Sequence, residues 1–380
     1  MPTVDTAMLE RAREAARIIA PLAGQIESDR RLPPDAVSAL VTAGAYKLYV
    51  PKALGGFEAP LGVAVGVLEE LARADGSAGW CAMIGATSGL MSAFLEEAVA
   101  REIYGAVDAR TSGVFAPMGR AVPVDGGFRV SGRWPFASGC EHASWRMGGA
   151  FIVGGTPDLV PSGAPNVQCF LFRATDTRVL DTWHTSGLRG TGSHDMEVSD
   201  VFVPKTHSFS LLRDPPRHAG PLYAMPFFGV LAASIAAVAI GIASSAIEQL
   251  SEAAKTKVPP GAKKPISHRD LVQLDVAEAE AKVSSARAFL REAIAGVEAD
   301  VTLMSRARLR LAAFHAVREA AAAVDAMYNA SGASAVYDTS PLQRHFRDVH
   351  VATQHLMVSR TIAMLAGRVL LGVESNTDML

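Results

Sequence analysis

The chain has 380 residues, 49% of them hydrophobic, with 36 basic and 38 acidic side chains and a net charge of −2. Without a clustered basic excess a nucleic-acid surface is excluded, and the length allows two or three packed units, since single cores stop growing near about 250–300 residues. Cys81, Cys140 and Cys169 lie far apart with no CxxC spacing, which excludes a disulfide framework and a zinc site.

The N-terminus carries no basic region followed by a short apolar core, so a reducing cytoplasm is the expected setting. Residues 7–22 place Leu9, Ala12, Ala16 and Ile19 on one face of an amphipathic helix that stops near Pro21. Asp35 opens a second helix, with Val37, Leu40 and Val41 inward and Gly44 as its stop. A Gly/Pro loop at 49–60 precedes a helix over 61–73. Asp75-Gly76-Ser77 caps the next helix, 78–94, whose near lack of charge predicts burial. A short helix at 96–104 closes an N-terminal helical domain, residues 1–110.

Near residue 110 the hydrophobic period changes from 3.6 towards 2. Strands are expected at 128–130, 145–153, 167–173, 178–182 and 196–203, with a hairpin signal at Val122–Gly127. Residues 111–215 therefore read as a β-barrel or sandwich. Within it, VSGRWPFASGCEHASW (130–145) gathers aromatic rings beside small hydrogen-bonding residues, which suits either a flat heteroaromatic ligand or an ordinary β core.

After Pro221 the helical period returns, with helices near 225–254, 267–299, 303–328 and 341–371, a four-helix bundle within residues 216–380. The uncharged run 226–247 is long enough to cross a bilayer. Its Ala, Gly and Ser content and the absence of a flanking Lys/Arg cluster favour a buried bundle helix and no membrane. Ser267-x-x-Asp270 and Ser340-Pro341-Leu342-Gln343 read as helix caps.

On the last helix, Arg344, Asp348, Val351 and His355 share a face. If that face looks inward, His355 serves as a general acid or base, or as a core histidine bonded to a carbonyl. His345, His350 and His355 are five residues apart and point in different directions, so they do not form a metal set. Gly187–Ser193 is glycine-rich but lies between strands, a weak phosphate signal.

Three stretches, LARADGSAGW (71–80), WHTSGLRGTGSHDMEVSDVFVP (183–204) and SPLQRHFRDVHVATQH (340–355), resemble the acyl-CoA dehydrogenase superfamily, and the likeness covers essentially the whole chain. GRWPFASGCEHASW (132–145) is similar to its flavin-dependent monooxygenase branch, of the 4-hydroxyphenylacetate hydroxylase and dibenzothiophene monooxygenase type. The resemblance implies a mainly α fold with a central β-barrel between the helical domain and the bundle. It implies that Trp134, Phe136 and Ser138 lie along the isoalloxazine ring, with the Ser138 hydroxyl near its N5/C4a edge. Ala116 and Pro117 would contact the flavin pyrimidine. Ser331 and Gly332 would approach the cofactor, often from a neighbouring subunit, and His355 would face it from the substrate side.

Dehydrogenases of this superfamily take the substrate α-proton with a carboxylate, commonly from a Tyr-Glu-Gly motif after an Arg-Asp pair. Here Arg347-Asp348 is followed by Gln354-His355-Leu356. The implied activity is the oxygenase component of a two-component flavin-dependent monooxygenase. It uses reduced flavin (FMN or FAD) and O2, through a C4a-hydroperoxide, to oxygenate a small aromatic or heteroatom-containing substrate that His355 deprotonates or orients. A separate NAD(P)H:flavin reductase would supply the reduced flavin.

The alternatives are an acyl-CoA dehydrogenase or nitroalkane-oxidase-like flavoprotein using a carboxylate such as Glu248 or Asp325, and a non-enzymatic helical oligomer. Phenol-oxidising relatives often carry a second histidine where this chain has Ala86-Thr87-Ser88, which leaves indole, heterocyclic sulfur or amine substrates open. The Ala-rich 229–246 face predicts a homo-oligomer, a tetramer by resemblance.

Overall fold

The computed structural model describes residues 4–154, 159, 160, 163, 165–374 and 376–380. Six helices open the chain: α1 (Val4–Ile19), α2 (Ala23–Asp29), α3 (Pro34–Ala43), α4 (Leu61–Ala74), α5 (Gly76–Gly89) and α6 (Glu97–Tyr104). In α1 the buried stripe is Met8, Ala12, Ala15 and Ile19, with Ala16 only half-buried. The Asp75 carboxylate caps α5, accepting the Ala78 N–H at 2.9 Å. All of α5 except Ile84 is buried. Its glycines permit this: a Cβ on Gly79 would meet the Ala72 backbone at 2.5 Å, and one on Gly85 the Tyr46 ring at 2.2 Å.

Seven strands follow: β1 (Thr111–Val124), β2 (Gly127–Trp134), β3 (Trp145–Ile152), β4 (Gln168–Arg173), β5 (Arg178–Leu180), β6 (Asp195–Pro204) and β7 (Ser208–Phe209). They form one sheet in the order β5-β6-β2-β1-β3-β4-β7, in which only the β1–β3 pair is parallel. The expected closed barrel is not formed. A barrel needs its end strands to pair with each other, and here the ends are the three-residue β5 and the two-residue β7. Short edges of this kind limit edge-to-edge association.

The remaining helices are α7 (Pro221–Ala224), α8 (Phe227–Thr256), α9 (Asp270–Ala299), α10 (Leu303–Ser331), α11 (Pro341–Ala352) and α12 (Arg360–Leu370). The apolar window of α8 has the length of a membrane span, yet 89% of it is buried inside the protein. Small residues allow this packing, since a Cβ on Gly241 would strike the Glu69 carbonyl of α4 at 2.4 Å.

Helix ends differ from expectation at four places. Neither Ser340 nor any side chain at the start of α9 makes a cap hydrogen bond, although Pro341 does hold the first turn of α11. A reciprocal capping box instead starts α10, between Thr302 and Ser305. Most important, the last helix is not continuous. α11 ends at Ala352, and a one-turn 3-10 helix, Leu356–Val358, separates it from α12.

Candidate active site

Four elements converge on Trp80, Ser138, Ser193 and His355. Trp80 comes from the buried helix α5, and its indole N–H donates to Ser138 Oγ at 3.1 Å. Ser138 follows β2 on a chain folded back by positive φ at Phe136 (65°) and Gly139 (71°). Ser138 Oγ and Ser193 Oγ are 2.6 Å apart, as are Ser193 Oγ and Thr191 Oγ1. Thr191 Oγ1 donates to the Leu188 carbonyl at 2.7 Å.

Each hydroxyl has one proton, which fixes the direction of this chain. Thr191 gives its proton to Leu188, so Ser193 donates to Thr191 and Ser138 donates to Ser193. The Ser138 oxygen accepts from Trp80 and keeps one lone pair. Towards a ligand, Ser138 is therefore an acceptor.

The loop that supplies Thr191 and Ser193 is held by a buried carboxylate. Asp348 Oδ1 accepts the Leu188 N–H at 2.6 Å, and Leu188 takes a left-handed conformation with φ 47°. Burial, then the neighbouring Asp75 carboxylate, pushes the Asp348 carboxyl up to about 7. Gly187 lets the loop reach α11, as a Cβ there would meet the Arg347 carbonyl at 2.3 Å. The glycine-rich segment is thus a scaffold for two hydroxyls. Thr191, Ser193 and Trp80 were not singled out from the sequence, although hydroxyls interleaved with the glycines of RGTGS are the visible signal.

His355 occupies the break between α11 and α12, not a shared helical face with Arg344 and Asp348. Helical spacing could not reveal this, because the helix stops three residues earlier. Its ring lies 5.8 Å from the Trp80 ring, centroid to centroid, at 58°. Nδ1 accepts the Met357 N–H at 3.2 Å, so the proton of the neutral ring sits on Nε2. Burial, aided by the Arg310 charge, lowers its pKa to about 4. His355 is neutral at physiological pH and presents an N–H donor.

Trp134 requires correction. It has no exposed surface and lies inside the sheet core, not along an open ligand face. Its Nε1–H donates to the Gly149 carbonyl at 2.7 Å, and Cβ atoms on Gly119, Gly132 or Gly148 would come within 2.6 Å of the indole. Phe136 is the opposite case: 68% exposed, with its ring 6.0 Å from Trp183. Ala116 and Pro117 lie where the β1–β3 register slips, and β1 pairs with β2 only from Gly119 onward. Ser331 ends α10, where its carbonyl accepts from Lys257 and its hydroxyl contacts Ser334. Gly332 follows with φ 65°. The recorded partners of Ser331 lie outside the Trp80–Ser138–His355 group.

The alternative carboxylates are engaged elsewhere: Glu248 pairs with Arg73 at 2.5 Å and Asp325 with His350 at 2.8 Å. Burial pushes the Cys81 thiol far up, which makes it a packing residue and not a nucleophile.

The acyl-CoA dehydrogenase N-terminal domain family matches residues 5–112, and the C-terminal domain family matches residues 233–360. Indole-3-acetate monooxygenase of Pseudomonas putida is 33% identical over 96% of this chain and 92% of its own length. The chain belongs to the flavin-dependent monooxygenase branch of the acyl-CoA dehydrogenase family. Another member, the oxygenase subunit HsaA of Rhodococcus jostii, is 32% identical over 92% of each protein. The solved 3-HSA hydroxylase of Rhodococcus sp. RHA1 superposes with a TM-score of 0.90 at 29% identity, covering 98% of both chains. XiaF from Streptomyces sp., solved with FADH2, gives a TM-score of 0.89 at 26% identity, covering 98% of this chain and 96% of that one. The protein is an oxidoreductase of this branch, an oxygenase component that works with reduced flavin.

Proposed function

We propose that this oxygenase acts on a small planar aromatic or heteroatom-containing substrate, held beside Trp80 and His355, with Ser138 turned to the flavin. The observation that carries the reading is Trp80 itself, which touches the Ser138 hydroxyl through its N–H and the His355 imidazole through its ring.

The residues present fit a flavin. Reduced flavin is a hydrogen-bond donor at N5, and the free lone pair of Ser138 is an acceptor. Among the described residues, the main chain of Ala116 and Pro117 has no strand neighbour on the β2 side, which leaves its polar groups available to a ring edge. Phe136 offers an exposed aromatic surface. When bound, reduced flavin supplies the electrons that activate O2 for transfer of one oxygen atom to the substrate. The protein's own contributions are orientation and exclusion of water. With Nδ1 engaged by Met357, His355 offers Nε2–H to a substrate oxygen or nitrogen, so it orients the substrate and does not deprotonate it.

The relatives named as oxygenase components support a separate NAD(P)H:flavin reductase as partner. Exposed Val336 and Tyr337, just beyond Ser331 and Gly332, support a neighbouring copy on this surface, as a homotetramer would supply. Three free, buried cysteines agree with a cytoplasmic setting.

The test is stopped-flow mixing of protein and anaerobically reduced FMN or FAD with oxygenated buffer, with and without indole. A long-lived transient before the oxidised-flavin band, together with an oxygenated product, is expected with one of the two flavins. Direct reoxidation at the rate of free flavin, without product, would overturn the reading.

A further inference from the structure

Arg310 lies in the N-terminal third of α10 with no exposed surface. Burial lowers its pKa only to about 10, so it remains charged at neutral pH. Among the described residues it has no carboxylate partner. Its acceptors are the Phe228 carbonyl and the Met357 thioether, which lies 3.6 Å from both Nη atoms. The Nε–H has no partner at all. A guanidinium has five N–H donors, and this one faces one good acceptor and one weak one. A buried charge left so poorly compensated opposes folding. No structural gain is visible that would offset it.

Its position is informative. Met357, which covers the guanidinium, gives its backbone N–H to His355 Nδ1, so the thioether and the imidazole belong to the same turn. On the other side Phe228 lies in the wall of a cavity of about 330 Å³, together with Leu90, Phe94 and Phe227. The charge is thus one side chain below the His355 face of the site. The intervening side chain is an unbranched thioether, which changes rotamer easily.

We infer that Arg310 is an anion anchor, and that the aromatic substrate of this oxygenase carries a carboxylate that displaces Met357 and pairs with the guanidinium. This rests on the reading of the Trp80–Ser138–His355 group as the substrate site. A carboxylate presents two oxygens to the planar fork of the guanidinium, which a carbonyl and a thioether do not. Held there, the acid end of the substrate lies under the Leu356–Val358 turn, and its aromatic end points to Trp80 and His355.

The test is anaerobic calorimetric titration of the full chain, saturated with reduced flavin, with indole-3-acetate and with its neutral analogue indole-3-acetamide. Wild type is expected to bind the acid at least about tenfold more tightly than the amide, a difference of about 1.4 kcal/mol. R310Q, which can still donate to Phe228, should bring that ratio close to one, and R310K should restore part of it. A purely structural arginine would show no such charge-dependent rescue.

A wild-type ratio near one overturns the proposal whether or not R310Q folds, and so does an unchanged ratio in R310Q. If instead the protein fails to handle reduced flavin, stopped-flow shows it separately. The acid-to-amide ratio is still measurable on the flavin-free chain, so the two failures are distinguishable.

Discussion

The Trp80 indole N–H and the Ser138 hydroxyl, 3.1 Å apart, tie the most buried helix of the N-terminal domain to the turn that follows β2. Through this bond the Ser138 oxygen is aimed, and through Ser193 and Thr191 its proton is drawn away from the ligand side. Ser138→Ala removes the acceptor and leaves the Trp80 N–H unsatisfied, which costs about 1–3 kcal/mol. The flavin transient seen on mixing with O2 should decay about tenfold faster, the loss of one ordinary hydrogen bond. An unchanged decay rate in stopped-flow would remove Ser138 from the site.

His355 makes a prediction in which pH decides. With its pKa held at about 4, the ring stays neutral from pH 5 to 8, and turnover should show no acid limb in that window. A limb near 6.5 would mean that the imidazole titrates as in water and works as a base. His355→Ala should keep reduced-flavin binding but reduce product formation by roughly a hundredfold, the cost of misplacing a substrate by about 1 Å. Product analysis under single-turnover conditions measures this directly.

His345 is the internal weak point of α11. Both ring nitrogens are buried without a partner, and burial, then Arg344, pushes its pKa down to about 3. His142, half-buried with Arg110 and Arg31 nearby, is lowered to about 4 by desolvation and then by these charges. In each case the folded pKa lies below the unfolded value of about 6.5, so the fold favours the neutral ring. That contribution is complete above about pH 6.5 and is lost as pH falls towards the folded value. Stability should therefore drop between pH 6.5 and 4. His345→Leu should stabilise the protein by about 1–3 kcal/mol, since it removes two unsatisfied polar atoms. It should also flatten the acid slope, and a urea titration at pH 7 and at pH 5 reads both.

The order of elements was legible because it depends on period. The helical stretch, the strand-rich middle and the four long helical segments all carry their repeat in the sequence. Sheet closure was not, because it depends on how long the end strands are, and a three-residue β5 leaves little trace. Trp134 misled for a related reason. The same aromatic-plus-glycine composition serves a flavin face and a core slot, and only the approach of Gly119, Gly132 and Gly148 separates them. His355 was misplaced as geometry; it lies in the break between α11 and α12 and not on a helical face. Nothing in HVATQHLM breaks the helical pattern, and the turn is stabilised by the His355 Nδ1 cap itself. The Thr191–Ser193 relay shows in the sequence only as hydroxyls between the glycines of RGTGS, because its members are small, common residues whose role comes from a loop anchored at long range by Asp348.

That anchor yields the last prediction. Asp348 accepts the Leu188 N–H at 2.6 Å, yet its carboxyl is raised to about 7 by burial and by Asp75. The folded pKa here lies above the unfolded value of about 3.9, so the fold favours the protonated acid. This contribution is complete below about pH 3.9 and is lost as pH rises through 7, opposite in direction to the two histidines. Over about pH 4 to 6.5 the two effects oppose each other, and above about 6.5 only the loss from Asp348 remains. Asp348→Asn keeps an oxygen for the Leu188 N–H and cannot ionise. It should gain stability relative to wild type as pH rises from 4 to 8, with thermal melts across that range as the measurement. A difference that does not change with pH would mean that Asp348 ionises freely. The Leu188–Ser193 loop would then be held by a charged acceptor instead of a neutral one.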